Sequence, residues 1–114
     1  MSDDTRNAAA WDTPIEEMLA RYLVVIADRE DREAVGAYLS AALRAEPIAR
    51  GCPSLAMLTP IDLFGVRAHL EMHGAGDIDA AVAALEGFLS WGREVGAHSL
   101  SDVVIAMALQ PSDL

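Results

Sequence analysis

Arg67, His69, Glu71 and His73 occupy every second position between Gly65 and Gly74, and in the linear sequence this is where polar chemistry is most concentrated. Two of the three histidines thereby stand beside a carboxylate and a guanidinium. On a strand, residues two apart are separated by ~6.5–7 Å, so His69 and Glu71, or Glu71 and His73, can share an ion or a proton. His69 and His73, at ~13 Å along a strand, cannot. On a helix the same two histidines become i, i+4 neighbours, and metal binding gains a geometry. The two folds make opposite predictions for one row of residues. Neither supplies a complete ligand set, so no metal, cofactor or catalytic residue is assigned.

Other reactive groups are sparse. Cys52, between Gly51 and Pro53, is the single cysteine and has only Arg50 as a basic neighbour, so a structural role is expected and an intramolecular disulfide is excluded. All eight basic residues are arginine, which removes a Schiff-base lysine and the lysine of a phosphate-binding loop. Gly74-Ala75-Gly76 lacks the third spaced glycine of a dinucleotide fingerprint and reads as a helix-capping loop.

The elements that position the row are bounded by composition. With 114 residues and 53% apolar content, the chain has room for one core, expected over residues 13–114 behind a mobile acidic tail at 1–12. A net charge of -10 argues against nucleic acid as a partner, because that affinity depends on clustered cations. No apolar run approaches the ~20 residues of a membrane span and no leader pattern opens the chain, so no membrane partner and a cytoplasmic location are expected.

Thr13-Pro14-Ile15-Glu16 reads as the start of a short helix to about Leu19, followed by a β-branched strand from Arg21 to Ala27. Asp31 to Ala45 carries a 3.6-period stripe and is expected to be an amphipathic helix. Ser54 to Thr59 reads as a short strand, and Val66 to His73 as a third strand by strict alternation. Asp77 caps a helix running to Trp91, with Gly92 and Gly96 as its exit, and Leu100 to Gln110 reads as a fourth strand. An ungapped offset of 46 lays residues 13–44 on 59–90 with nine identities, as a duplicated unit would.

This order predicts an α+β ferredoxin-like βαββαβ sandwich with a four-stranded antiparallel sheet and a short N-terminal helix. The alternative is an all-α chain of two helical hairpins, because Thr-Pro-Ile-acid can start a long helix at residues 13 and 59 alike. In the sandwich both helices cover one sheet face. Leu23, Val25, Val104 and Ala106 would then lie on the open face and form the centre of a homodimer interface.

The helix end Arg44-Ala45-Glu46-Pro47 followed by Gly51-Cys52 resembles that of the dimeric α+β barrel superfamily, whose antibiotic-biosynthesis monooxygenase branch has a similar acid-proline-glycine-cysteine turn. The resemblance implies a homodimer with packed sheet faces and a pocket between sheet and helices; it implies no activity, since fold does not fix function. The expected function is a small dimeric binding or ligand-sensing module without catalytic activity, taking a small apolar or aromatic ligand. The alternatives are a cofactor-independent small-molecule enzyme of monooxygenase or isomerase type on the same frame, and an acidic protein that neutralises a basic protein partner.

Overall fold

The computed structural model describes residues 13–44, 54–72 and 77–109. They form five helices: α1 (Ile15–Val25), α2 (Arg32–Leu43), α3 (Pro60–Met72), α4 (Ile78–Glu94) and α5 (Asp102–Ala108), with a 3-10 turn at Leu55–Met57 before α3. Among the described residues there is no strand, and a lone antiparallel bridge joins Pro14 to Ser54. The ferredoxin-like α+β sandwich is therefore overturned, and with it the likeness to the dimeric α+β barrel superfamily. The all-helical alternative is the one observed. The tail at 1–12, the turn containing Pro47 and Cys52, and the Gly74-Ala75-Gly76 loop lie outside the described residues.

Helix or 3-10 turn replaces each of the four expected strands. The helix begun at Thr13-Pro14 does not stop at Leu19, because Ile15, Met18, Tyr22 and Ile26 continue one buried stripe at helical spacing. The β-branched residues that suggested a strand are Val24, Val25 and Ile26, at the end of that helix. Their helix penalty of at most about 0.7 kcal/mol each is smaller than the roughly 1.5–3 kcal/mol gained by burying a large apolar side chain.

The third strand is α3. Thr59 and Asp62 cap its start reciprocally: the Thr59 N–H and hydroxyl each donate to Asp62 Oδ2 at 3.0 Å, and the Asp62 N–H donates to Thr59 Oγ1 at 3.2 Å. Beyond the cap, Arg67, Ala68, Leu70, Glu71 and Met72 are strong helix formers. Leu63, Val66 and Leu70 supply the buried stripe, and the alternation from Val66 to Met72 arises because a second, exposed apolar stripe interleaves with it. The fourth strand is α5, begun by Ser101, whose hydroxyl accepts from the Val104 N–H at 3.2 Å. Of the second strand, Ser54 keeps an extended backbone and Leu55–Met57 turn as a 3-10 helix.

The two amphipathic helices form as expected. α2 buries Val35, Leu39 and Ala42, and α4 buries Ala81, Val82, Leu85, Phe88 and Leu89. Asp77 caps α4 by accepting from the Ala80 N–H at 3.0 Å. At the other end Gly96 takes φ 83°, its N–H donates to the Arg93 carbonyl at 3.1 Å, and the Ala97 N–H returns to the Gly92 carbonyl at 2.8 Å. That pair of bonds is a Schellman ending, which needs a glycine at the left-handed position. Gly92 itself is still helical.

α4 is the axis of the molecule: α1, α2, α3 and α5 all pack against it, α2 most extensively. Tyr22 of α1 meets Phe88 and Trp91 of α4 with ring centroids 5.4 Å away in each case, and Phe88 and Trp91 lie 6.1 Å apart. No described helix is long and apolar enough to cross a membrane.

Candidate functional site

With α3 helical, the polar row divides. Successive residues turn by about 100°, so His69 lies about 200° round the helix from both Arg67 and Glu71, while Arg67 and Glu71 are i, i+4 neighbours. Arg67 Nε is 3.4 Å from Glu71 Oε1. The arginine is buried, its Nε has no hydrogen-bond partner, and the pair therefore tethers a shielded cation through one long contact. His69 is half-buried on the other flank. His73 lies outside the described residues, as does any i, i+4 pairing of it with His69. Among the described residues no three His, Cys, Asp or Glu side chains are grouped to hold a metal ion.

The residues expected at a dimer centre sit on helices, without the sheet face that was to unite them. Val25 is exposed near the end of α1, and Val104 and Ala106 are half-buried on α5. Leu23 packs on α2, its Cδ2 3.5 Å from where a Cβ on Gly36 would sit.

His98 is the histidine that sequence reasoning passed over. It is buried, Nε2 lies 2.6 Å from the Leu89 carbonyl oxygen, and Nδ1 lies 3.1 Å from the Leu100 N–H. A backbone N–H can only donate, so Nδ1 accepts and the proton sits on Nε2, which donates to Leu89. Burial lowers its pKa from the usual 6.5, with the Leu89 carbonyl opposing. Gly92 lies against the ring: a Cβ there would be 3.4 Å from His98 Cδ2, an ordinary contact, and a tight 3.0 Å from Leu55 Cδ1. Nε2 ties the α4–α5 connection to α4, and Nδ1 holds the backbone of that connection at Leu100. The signal available in the sequence was the histidine two residues beyond the helix-ending Gly96.

A shallow cleft of about 260 Å³ between α4 and α5 is lined by Glu86, Gly87, Ser90, Asp102 and Ile105. Its two carboxylates are acceptors only, and Asp102 has a distant ion-pair partner in Arg93 at 3.9 Å. Nothing in that lining pairs a nucleophile with a base.

The distinctive surface is the outer side of α3. Ile61 and Met72 are each 80% exposed and Phe64 is 54% exposed, with Ala68 exposed between them. These four positions share one helical stripe, opposite the buried Leu63, Val66 and Leu70. The internal repeat makes the stripe unusual: an offset of 46 maps Ile61, Phe64, Ala68 and Met72 onto Ile15, Met18, Tyr22 and Ile26, which are all buried. It likewise maps the buried Leu63, Val66 and Leu70 onto Glu17, Ala20 and Val24, which are all exposed. In the second helices of the two repeats the burial agrees, Val35 with Ala81, Leu39 with Leu85 and Ala42 with Phe88. Only the first helix of the repeat has exchanged faces, and α3 keeps apolar residues on both.

No protein-family model matches the chain, and neither a curated protein nor a solved structure matches it.

Proposed function

We propose that the protein is a non-catalytic helical interaction module whose working surface is the outer stripe of α3. The observation that carries this reading is that Ile61, Phe64 and Met72 are exposed where the equivalent Ile15, Met18 and Ile26 are core. A stripe of large apolar side chains left in water loses the burial free energy that its counterpart gains, and such stripes on globular domains mark contact surfaces. An apolar ridge at i, i+3, i+7 and i+11 suits the face of another helix, which meets it by packing ridges into grooves.

The test is a displayed library of amphipathic helical peptides, selected on the wild-type protein and replayed on an Ile61→Asp, Phe64→Asp, Met72→Asp variant. Enrichment of peptides that bind wild type and fail on the variant supports the reading. No enrichment, or peptides that bind both alike, overturns it. The three replaced side chains are exposed, so an unchanged circular dichroism melt is expected and separates lost binding from lost fold.

A further inference from the structure

Resting on that reading, the geometry points to the partner: a second copy of this chain, docked α3 to α3. Along the stripe Ile61, Gly65, Ala68 and Met72 follow at spacings of four, three and four residues. The spacing reads the same in both directions. The sizes do too, with large residues at the ends and small ones in the middle. At 3.6 residues per turn these four positions fall within about 60° of one another on the helix.

We propose that two α3 helices pair antiparallel about a two-fold axis passing between Gly65 and Ala68. Ile61 then meets the partner's Met72, and Gly65 meets the partner's Ala68, where two small residues let the helix backbones approach closely. Phe64, on one shoulder of the stripe, lies over the partner's Ala68. An antiparallel two-fold also brings like shoulders together, so Asp62 on the opposite shoulder faces the partner's His69, and the contact occurs twice. All four pairings belong to one register, which is what an isologous interface requires.

Charge permits a second copy at contact and opposes it at a distance. On one shoulder the charge of Glu71 is offset by Arg67 of its own helix, so that carboxylate is partly neutralised where a like chain meets it. Each chain nevertheless carries a net charge of -10. Added salt screens that long-range repulsion and should tighten the dimer, whereas a basic partner would be weakened by salt. One helical stripe is smaller than the ~1,600 Å² of a standard interface, so a dissociation constant on the order of 10 µM is expected.

The experiment is sedimentation velocity on wild type, Ala68→Glu, Ala68→Arg and an equimolar mixture of the two variants, from about 5 to 500 µM to bracket the expected constant, at low and high salt. Position 68 is exposed, so both variants should fold, as a thermal melt checks. Wild type is expected to dimerise, at least threefold more tightly at high salt. Each variant alone should be monomeric, because like charges meet beside the axis, and the mixture at low salt should recover a heterodimer. A monomeric wild type at every concentration overturns the proposal, as does a dimer indifferent to Ala68→Glu or a mixture that stays monomeric. If wild type is monomeric while selected peptides still depend on Ile61, Phe64 and Met72, the second copy falls and the interaction surface stands. If the peptide dependence is also missing, both fall.

Discussion

The Nε2 of His98 lies 2.6 Å from the carbonyl oxygen of Leu89, and this contact holds the proton of a buried neutral ring on Nε2. The Leu100 N–H at 3.1 Å occupies Nδ1, so a second proton on the ring has no acceptor and faces a donor.

Stability should fall as the solution is acidified through the histidine range. His98 has a lowered pKa in the folded protein, so the unfolded chain takes up the proton first; its contribution is complete above about pH 6.5 and is lost as pH drops from there towards the lowered value. Urea unfolding at pH 7.5 and pH 5.5 should show a larger loss for wild type than for His98→Gln, which cannot titrate. Equal losses would contradict the assignment. His98→Ala should cost about 1–3 kcal/mol at pH 7.5 through the orphaned Leu100 N–H and the vacated volume.

Two helical glycines should respond to alanine with opposite signs. A Cβ at Gly92 would sit 3.0 Å from Leu55 Cδ1, and Leu55 is fully buried, so Gly92→Ala should cost about 1–3 kcal/mol despite its better helix propensity. At Gly36 the nearest atom is Leu23 Cδ2 at 3.5 Å, an ordinary contact, so Gly36→Ala should stabilise by up to about 1 kcal/mol. Denaturant midpoints measured side by side check both.

Gly96→Ala should destabilise by about 1–2 kcal/mol, because φ 83° is left-handed backbone that a Cβ disfavours. The change should appear in thermal unfolding with the helical signal of the folded state unchanged. A neutral result would mean that the ending relaxes to another conformation.

Thr59→Ala should cost about 0.5–2 kcal/mol, since it removes both hydroxyl contacts of the reciprocal cap on α3. Hydrogen exchange should then speed up first at the α3 amides near Asp62. If exchange rises instead across all five helices equally, α3 has no independent start.

Local chemistry written in the sequence determined where several helices begin and end. Asp77 starts α4, Gly96 closes it, and the 3.6-residue stripes of α2 and α4 were legible because each has one apolar face and one polar face. The offset of 46, read as strand on strand and helix on helix, in fact relates two helix pairs, α1–α2 and α3–α4. What the sequence by itself could not determine was the state of Val66 to Met72 and of Arg21 to Ala27. A helix apolar on two opposite faces places apolar residues at Val66, Ala68, Leu70 and Met72, the same alternation that a half-buried strand produces. The polar row at Arg67, His69 and Glu71 looked like one face for that reason, and the helix splits it. Which apolar stripe of α3 turns inward was decided only in three dimensions. Leu63, Val66 and Leu70 are buried as α3 packs against α2, α4 and α5, while Ile61, Phe64 and Met72 are left outside, because burial depends on residues distant in the chain and periodicity reports only neighbours.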